Sequence, residues 1–506
     1  MKIRNLFEFS PLIDLPEAAP HLDLEVRHLQ IDSREVSPGD VFIAVKGLHS
    51  DGHNFLEDAI RRGCIAIVVN EKTVIPSDYK GFVFRAEQTE KALELLMEVF
   101  YRNPSFHLKM IGVTGTNGKT SITAMVEHIL NENKIPCGVI GTINHHFQNH
   151  IWDTQLTTPD QLTLRKRLGE FLAKGALATA MEVSSHALDQ GRVDGVYFDV
   201  AIFTNLTRDH LDYHKTMENY FQAKQILFRD SLASPMKPRT RAVINIDDPY
   251  GRSLECAERS QVWTYGSSRD ADFFYHLVQF TRTDSRFMIE SPFGHIQTRW
   301  KLLGHHNIMN GLASCIAVSC LGLPFETCVR SMETFHNVPG RLESVVARNE
   351  AVAFIDYAHS PDALTKALST LRAVVESQKS GPPIRIITVF GCGGDRDKGK
   401  RPLMMKAALE LSDTIVVTSD NPRTEDPTAI IDEILKGRED NHGRSQVEVY
   451  VEVDREKAIK AAIAMSKPQD LILIAGKGHE NYQIFGTEKR HFSDREVVES
   501  YSWESK

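Results

Sequence analysis

Two textures alternate along the chain. Short apolar runs of strand length are separated by longer stretches whose apolar positions recur at helical spacing. In the first hundred residues the strand-like runs lie at 41–45, 65–69 and 81–84. A helical pattern then covers Thr89–Tyr101, and Asn103-Pro104 breaks it. From about residue 108 the alternation becomes regular. Apolar strands are predicted at Lys109–Thr114, 137–141, 176–183, 200–204 and 242–246, with helical segments between them at 121–130 and 217–228 among others. A third stretch begins after Pro339-Gly340-Arg341, with strands at Val352–Asp356, 384–390, 414–418 and Leu471–Ala475. Strands spaced by helices predict parallel sheets covered on both faces, so the fold class is α/β. Three domains are expected, at residues 1–107, 108–339 and 340–506.

Each strand of the third stretch ends in a polar or glycine-rich segment: D-Y-A-H-S-P, G-C-G-G-D-R-D-K, S-D-N-P-R and G-K-G-H-E. Ligands of open α/β sheets bind at the carboxyl ends of strands, so these four ends are candidate binding loops. Any one of them alone reads equally well as an ordinary polar turn.

Composition removes several alternatives. Over 506 residues, 42% are hydrophobic and 25% charged, which excludes a largely disordered chain. The net charge of −8 offers no global attraction for nucleic acid or an anionic membrane, and neither partner is expected. No apolar run nears the ~18 residues of a membrane span, and residues 1–10 lack the apolar core of a signal peptide. The seven cysteines form no C-x-x-C pair, so neither disulfides nor structural zinc is expected, and a reducing cytoplasm fits.

The densest local chemistry is the turn Gly115-Thr116-Asn117-Gly118-Lys119-Thr120 between a strand and a helix. Glycines there let backbone N–H groups converge on an anion, and the helix N-terminus adds partial positive charge. Lys119 would reach terminal phosphates and the Thr120 hydroxyl would ligate Mg²⁺. The spacing departs from G-x-x-x-x-G-K-[ST], because Val113 stands where the first glycine belongs. A plain strand-to-helix turn is the bland alternative.

T-G-T-N-G-K-T, starting at Thr114, resembles the phosphate loop of the Mur ligase family. Other segments agree in order: T-T-P from Thr157, M-E-V-S-S-H from Met181, T-N-L-T-R-D-H-L-D-Y-H from Thr204, G-H-H-N-I-M-N from Gly304, P-G-R-L-E from Pro339 and D-Y-A-H-S-P-D-A-L from Asp356. D-S-R-E-V-S-P-G-D-V-F-I-A-V-K-G from Asp32 also fits. Within the family, G-C-G-G-D-R-D-K-G-K-R-P from Gly391 and D-N-P-R from Asp420 resemble the branch that adds the third peptide residue.

The resemblance implies an N-terminal UDP-binding domain, a central phosphate-loop ATP-binding domain and a C-terminal Rossmann-like domain. It implies that ATP phosphorylates the D-glutamyl side-chain carboxylate of UDP-MurNAc-L-Ala-D-Glu to an acyl phosphate, which the amine of meso-diaminopimelate then attacks. A monomer is expected, with ATP as co-substrate and Mg²⁺ as cofactor. By the same resemblance Thr120 and Glu182 hold the first Mg²⁺, His210 a second, and Lys224 is carbamylated so that it too ligates metal. Without the resemblance, Glu182 reads as a capping or solvated carboxylate, His210 as a structural histidine and Lys224 as a solvated helix lysine. ATP contacts fall on Thr114–Thr120 and on Asn307, Arg341, Asp356 and His359. The UDP end falls near Ile31, Ser33, Leu48, His49 and Ser50, and the muramoyl-dipeptide on Thr157, Thr158, Ser184, Gln190 and Arg192. Diaminopimelate falls on Arg396, Asp420, Asn421, Pro422, Arg423, Gly476 and Glu480. Arg423, helped by Arg396, would select the amino acid by holding its distal carboxylate with two parallel hydrogen bonds.

Three other readings stay open on sequence: the same ligation with L-lysine, a folylpolyglutamate synthetase, and a phosphate-loop ATPase without ligase activity. The D-N-P-R quartet argues against the first and the N-terminal domain against the second.

Overall fold

Four short parallel strands, Leu29–Gln30, Val41–Ile43, Ala66–Asn70 and Phe82–Ala86, lie side by side in chain order at the start of the protein. Alternate residues face opposite ways, as the strand period demands. Val41, Ile43, Val68 and Phe84 join one apolar cluster with Leu93, Leu96 and Met97 of the helix Thr89–Tyr101. Phe42, Ala44, Ile67 and Val69 join a second cluster with Val36, Leu56 and Ala59. The helix has the predicted bounds. It stops because Arg102 and Asn103 turn left-handed, with φ of 52° and 44°, before Pro104.

The computed structural model describes residues 1–7, 23–47, 50–347, 349–378, 382–439 and 447–503. Two compact units emerge. One comprises Met1–Thr123, Lys134–Ala242 and Ser253–Val262, the other Ala124–Asn133, Val243–Arg252 and Trp263–Lys506.

The first unit also holds the strands Val200–Phe203, Lys109–Thr114, Ala178–Glu182 and Cys137–Ile140, parallel and adjacent in that spatial order. All four are buried on both faces apart from Lys109, so they read in sequence as continuous apolar runs. Beyond Cys137–Ile140 the sheet turns antiparallel through His145–Phe147 and His150–Trp152, a hairpin the parallel-sheet expectation does not contain. Its strands are three residues each and rich in histidine, too short and too polar to carry a periodic signal.

In the second unit, Phe273–Phe280, Ser285–Ser291 and Gly294–Trp300 form an antiparallel meander, again unforeseen. Only alternate positions of its last strand are buried, so it lacks the solid apolar run that betrays a parallel strand. The C-terminal sheet orders Glu343–Val346, Val352–Asp356, Leu471–Ala475, Ile386–Phe390, Thr414–Val417 and Glu448–Val451, antiparallel at the first pair and parallel elsewhere. The four polar segments picked out in the sequence follow four consecutive strands of this sheet, so they share one edge. Among the described residues, no helix is long and apolar enough to cross a membrane.

Candidate active site

The phosphate loop sits between the strand Lys109–Thr114 and the helix Lys119–Glu132. Gly115 has φ of 146°, and a Cβ there would collide with the Thr204 hydroxyl, so only glycine fits. The segment after Val200–Phe203 braces the loop. Asn205 accepts from Thr116 N through its carbonyl and from Asn117 N through its side chain, both at 2.9 Å, and the Thr204 hydroxyl donates to Asn117 O at 2.6 Å. Lys119 folds back on the loop, its ammonium donating to the carbonyls of Gly115 at 2.9 Å and Thr116 at 3.0 Å.

Glu182 ends its strand almost fully buried, 1% exposed. It accepts from the Thr120 hydroxyl at 2.9 Å, from Thr142 N at 2.9 Å and from the Thr142 hydroxyl at 3.0 Å. A hydroxyl and a carboxylate oxygen side by side at a phosphate loop are hard donors that suit Mg²⁺, which takes few protein ligands and keeps several waters. Among the described residues, no group of three or more His, Cys, Asp or Glu side chains could form a cage. The donor set therefore fits an ion shared with phosphate oxygens and water rather than one enclosed by protein.

Lys224 is 1% exposed, on the helix Met217–Arg229. Its Nζ donates to Gly115 O at 3.1 Å and lies 4.5 Å from the centre of the Tyr220 ring. Burial first, then the neighbouring charge of Lys119, pushes its pKa well below the ordinary lysine value. The solvated reading of this helix lysine is thus excluded. Lowering a lysine's pKa raises its share of neutral amine, the form that reacts with CO₂. His210 is left-handed at φ 53°, and its ring lies 4.9 Å from His186 and 5.9 Å from Tyr220. It is half-exposed, with Asp209 as its charged neighbour at 3.7 Å.

Behind Glu182 the structure brings the dipeptide set together. The Thr157 and Thr142 hydroxyls are 3.0 Å apart, and Thr158 Oγ1 donates to Glu182 O at 2.9 Å and accepts from Ser184 N at 3.0 Å. Arg192 donates to Thr158 O at 3.0 Å and to Gln190 Oε1 at 2.9 Å. Gln190 in turn reaches the Tyr213 hydroxyl at 3.2 Å. Ile31 and Ser33 follow the carboxyl end of Leu29–Gln30, and Ser33 is buried, where its hydrogen bond holds the Asp58 carboxyl below the usual range. Ser50 is exposed and accepts from Gly47 N at 2.8 Å. Leu48 and His49 lie outside the described residues.

The second unit carries the remaining candidates. Asn307, on the buried helix His305–Ser319, donates to Leu303 O at 3.0 Å. Asp356 accepts from Leu342 N at 2.7 Å and Ala358 N at 2.9 Å, and burial raises its pKa to about 6. The Arg341 guanidinium lies 5.3 Å from the Tyr357 ring centre, and His359 Nδ1 faces Tyr357 O at 2.8 Å.

At the shared strand edge, Asp420, Asn421 and Lys477 are buried around Glu480. Arg423 donates to Gly394 O at 2.7 Å. Its backbone, left-handed at φ 52°, is stitched to the hairpin Tyr482–Phe485/Glu488–His491: Arg423 N donates to Ile484 O at 3.0 Å and Gly486 N to Arg423 O at 2.6 Å. Asn421 Oδ1 accepts from Ile484 N at 3.1 Å. The Gly391–Lys400 and Asp420–Arg423 loops are clamped by fully buried Arg401, which donates to Glu425 at 2.9 and 3.0 Å and to Glu433 at 2.7 Å. Arg396 is exposed beside this clamp, and Pro422 is buried within it. Gly476 has φ of 122°, and a Cβ added there would lie 3.2 Å from Asp420 Oδ2.

Sequence reasoning missed Thr142, Asn205, Arg401 and Lys477. The available signal was their place just after a strand, in a glycine-flanked loop or, for Arg401, in the first turn of the helix Lys400–Leu411, but burial at those places is a tertiary property.

The phosphate loop with its adjacent hydroxyl–carboxylate oxygen pair defines a nucleotide-binding α/β protein. Family descriptions match in chain order: "Mur ligase family, catalytic domain" over residues 25–101, "Mur ligase middle domain" over 113–318 and "Mur ligase, glutamate ligase domain" over 340–478. The chain belongs to the Mur ligase family. It is 41% identical to the UDP-N-acetylmuramoyl-L-alanyl-D-glutamate–2,6-diaminopimelate ligase of Geobacter metallireducens, covering 98% of this chain and 97% of that one. It is also 41% identical to the protein of the same name in Synechococcus elongatus, over 98% of each. A solved structure of a ligase of that name matches with a TM-score of 0.71 at 31% identity, over 99% of each chain.

Proposed function

We propose that this protein is an ATP-dependent amide ligase of peptidoglycan precursor synthesis. It joins meso-diaminopimelate to the D-glutamyl side-chain carboxylate of UDP-N-acetylmuramoyl-L-alanyl-D-glutamate, acting as a cytoplasmic monomer. The names of relatives 41% identical over almost the whole chain support the substrates. The observation that carries the chemistry is the convergence of Lys119, Lys224 and the Thr120–Glu182 oxygen pair on one phosphate loop.

The difficulty in this reaction is charge. A carboxylate must attack the γ-phosphorus of a polyanion, displacing ADP, and the amine must then attack the acyl carbon, displacing phosphate. Mg²⁺, when bound, neutralises part of that charge. Thr120 and Glu182 would hold it, with Thr142 fixing the Glu182 carboxylate. His210 and Lys224, the latter as its carbamate, serve a second ion. Lys119 leaves the loop carbonyls for the phosphates. Loop N–H groups from Gly115 to Thr120, with Thr114 beneath them, cradle the phosphates, while Asn307, Arg341, Asp356 and His359 serve the rest of the nucleotide. Thr157, Thr158, Ser184, Gln190 and Arg192 orient the dipeptide, and the segment from Ile31 through Ser33 to Ser50, with Leu48 and His49, takes the uridine end. Arg423 and Arg396 hold the distal carboxylate of diaminopimelate, flanked by Asp420, Asn421, Pro422, Gly476 and Glu480. Domain junctions near residues 107 and 339 accompany this division of labour.

The test is turnover of ATP and Mg²⁺ with the UDP-dipeptide and a panel of amino acids. Mass spectrometry should find the tripeptide nucleotide with diaminopimelate, one ADP and one phosphate forming per product. ATP turnover that needs neither acceptor nor amine would instead identify a plain ATPase. Equal use of L-lysine would refute the amino-acid assignment.

A further inference from the structure

Lys477 stands in the middle of the strand-edge cluster, and no role has yet fallen to it. Its side chain is 0% exposed. Its ammonium lies 3.1 Å from Asn421 Oδ1, 3.4 Å from Glu480 Oε2 and 3.5 Å from Asp420 Oδ1. An ammonium has three N–H donors, and here it meets three acceptors from three different residues. Asn421 completes a closed ring by donating from Nδ2 to the same Glu480 Oε2 at 3.1 Å.

Other cations lie close by but do not touch the two carboxylates; Lys489, for one, sits over the Tyr482 ring at 3.7 Å. Arg455 and Asp494, both fully buried, pair at 2.7 and 2.8 Å, and Arg455 also donates to Ala475 O at 3.0 Å. Arg423, two residues after Asn421, donates to Gly394 O at 2.7 Å. Tyr482 faces the ring, its phenol pKa raised by burial and then by Glu480, and Lys477 Nζ lies 5.5 Å from its ring centre. Lys477 is therefore the cation shared by Asp420 and Glu480. Buried Asp420 and half-buried Glu480 with one ammonium leave the ring itself a single negative charge. Glu480, the more exposed of the two at 17%, is where that charge meets solvent.

We infer that Lys477 is a positioning residue of the amino-acid pocket: it turns Glu480 and Asn421 into place and leaves the pocket one negative charge, matched to the single distal ammonium of the incoming amino acid. The inference rests on the ligase reading above. It separates two jobs within one pocket. Arg423 meets the distal carboxylate, which diaminopimelate has and L-lysine lacks. The ring built on Lys477 meets the distal ammonium, which both have. Without Lys477, two carboxylates would share that ammonium, and Glu480 would lose one of the three side-chain donors that fix its rotamer, keeping Asn421 and the Tyr482 hydroxyl. The extra negative charge alone would draw the ammonium in, so the rise in KM measures the lost orientation of Glu480 and Asn421.

Steady-state kinetics on Lys477→Met and Arg423→Ala test this, with diaminopimelate and with L-lysine as a slow substrate. For Lys477→Met, KM should rise at least about 30-fold for diaminopimelate and by a similar factor for L-lysine. KM for ATP and for the UDP-dipeptide should stay within about threefold. Arg423→Ala should damage diaminopimelate use alone. Parallel rises in all three substrate KM values, or an unchanged diaminopimelate KM, would overturn the inference. If Lys477→Met does not fold, Lys477→Met/Asp420→Asn keeps every remaining carboxylate partnered. Compared with Asp420→Asn alone, it should still show a selective rise of at least about tenfold, because the charged donor among those that orient Glu480 is missing. A diaminopimelate KM equal to that of Asp420→Asn would refute the positioning role. Wild-type protein that forms no tripeptide with any amino acid would refute the ligase reading itself, a result distinct from either.

Discussion

Thr142 spends both of its donors on Glu182, through its amide and its hydroxyl. Groups that orient a metal-binding carboxylate typically matter by 10–100-fold in metal affinity. Thr142→Val should therefore raise the Mg²⁺ concentration for half-maximal activity by about 10–100-fold and leave KM for diaminopimelate unchanged. A Mg²⁺ titration that superimposes on wild type would dismiss the Thr142 contact as incidental. His145 offers a second, independent test. It is 2% exposed with neither ring nitrogen hydrogen-bonded, and burial lowers its pKa to about 4. The folded pKa lies below the unfolded 6.5, so the neutral ring's contribution is full above pH 6.5 and drains away as pH falls toward 4. Urea unfolding at pH 7.5 and 4.5 should show His145→Leu losing about 3 kcal/mol less than wild type on acidification. Equal losses would mean that His145 protonates freely in the fold. The sequence carries these two residues and the phosphate loop differently. Gly115, Gly118, Lys119 and Thr120 act within six residues, so their chemistry is local and legible. Thr142 and Lys477 matter only because a distant strand end comes to meet them.

Among elements, most parallel strands were readable, but the sheet-edge strands Leu29–Gln30 and Glu448–Val451 were not, and neither were the antiparallel ones. Lys109–Thr114, Ala178–Glu182 and Leu471–Ala475 are sandwiched between helices and stay apolar at nearly every position. The hairpin Tyr482–Phe485/Glu488–His491 has an exposed second strand and a polar turn, and sequence reading passed over it. Yet it is the element that fixes Arg423. Gly486, at its turn, has φ of 59° and donates to Arg423 O. Proline cannot take that φ and has no N–H. Gly486→Pro should raise KM for diaminopimelate at least about tenfold while KM for ATP holds. An unchanged diaminopimelate KM would show that Arg423 keeps its place without the hairpin.

At the scale of the whole molecule, the C-terminal stretch has a core of its own. A cluster from Ala347 and Ala353 through Ile387, Val416 and Ile459 to Ile474 and Val498 is drawn entirely from residues after 340. A fragment of residues 340–506 should thus melt cooperatively as a soluble monomer and ligate nothing. A fragment that aggregates without a transition would move the proposed junction away from residue 339.

The central sheet imposes an order on synthesis. Strand Lys109–Thr114 is flanked on both sides by strands that come later in the chain, Ala178–Glu182 and Val200–Phe203. The nearer of the two begins about 60 residues downstream, and at about 5–20 residues per second the ribosome needs roughly 3–12 s to reach it. For that interval the strand beneath the phosphate loop has no partner on either edge. The same placement that puts the loop at the centre of the finished sheet makes the nascent chain a client for chaperones, and makes translation pauses between residues 115 and 177 a hazard to its yield.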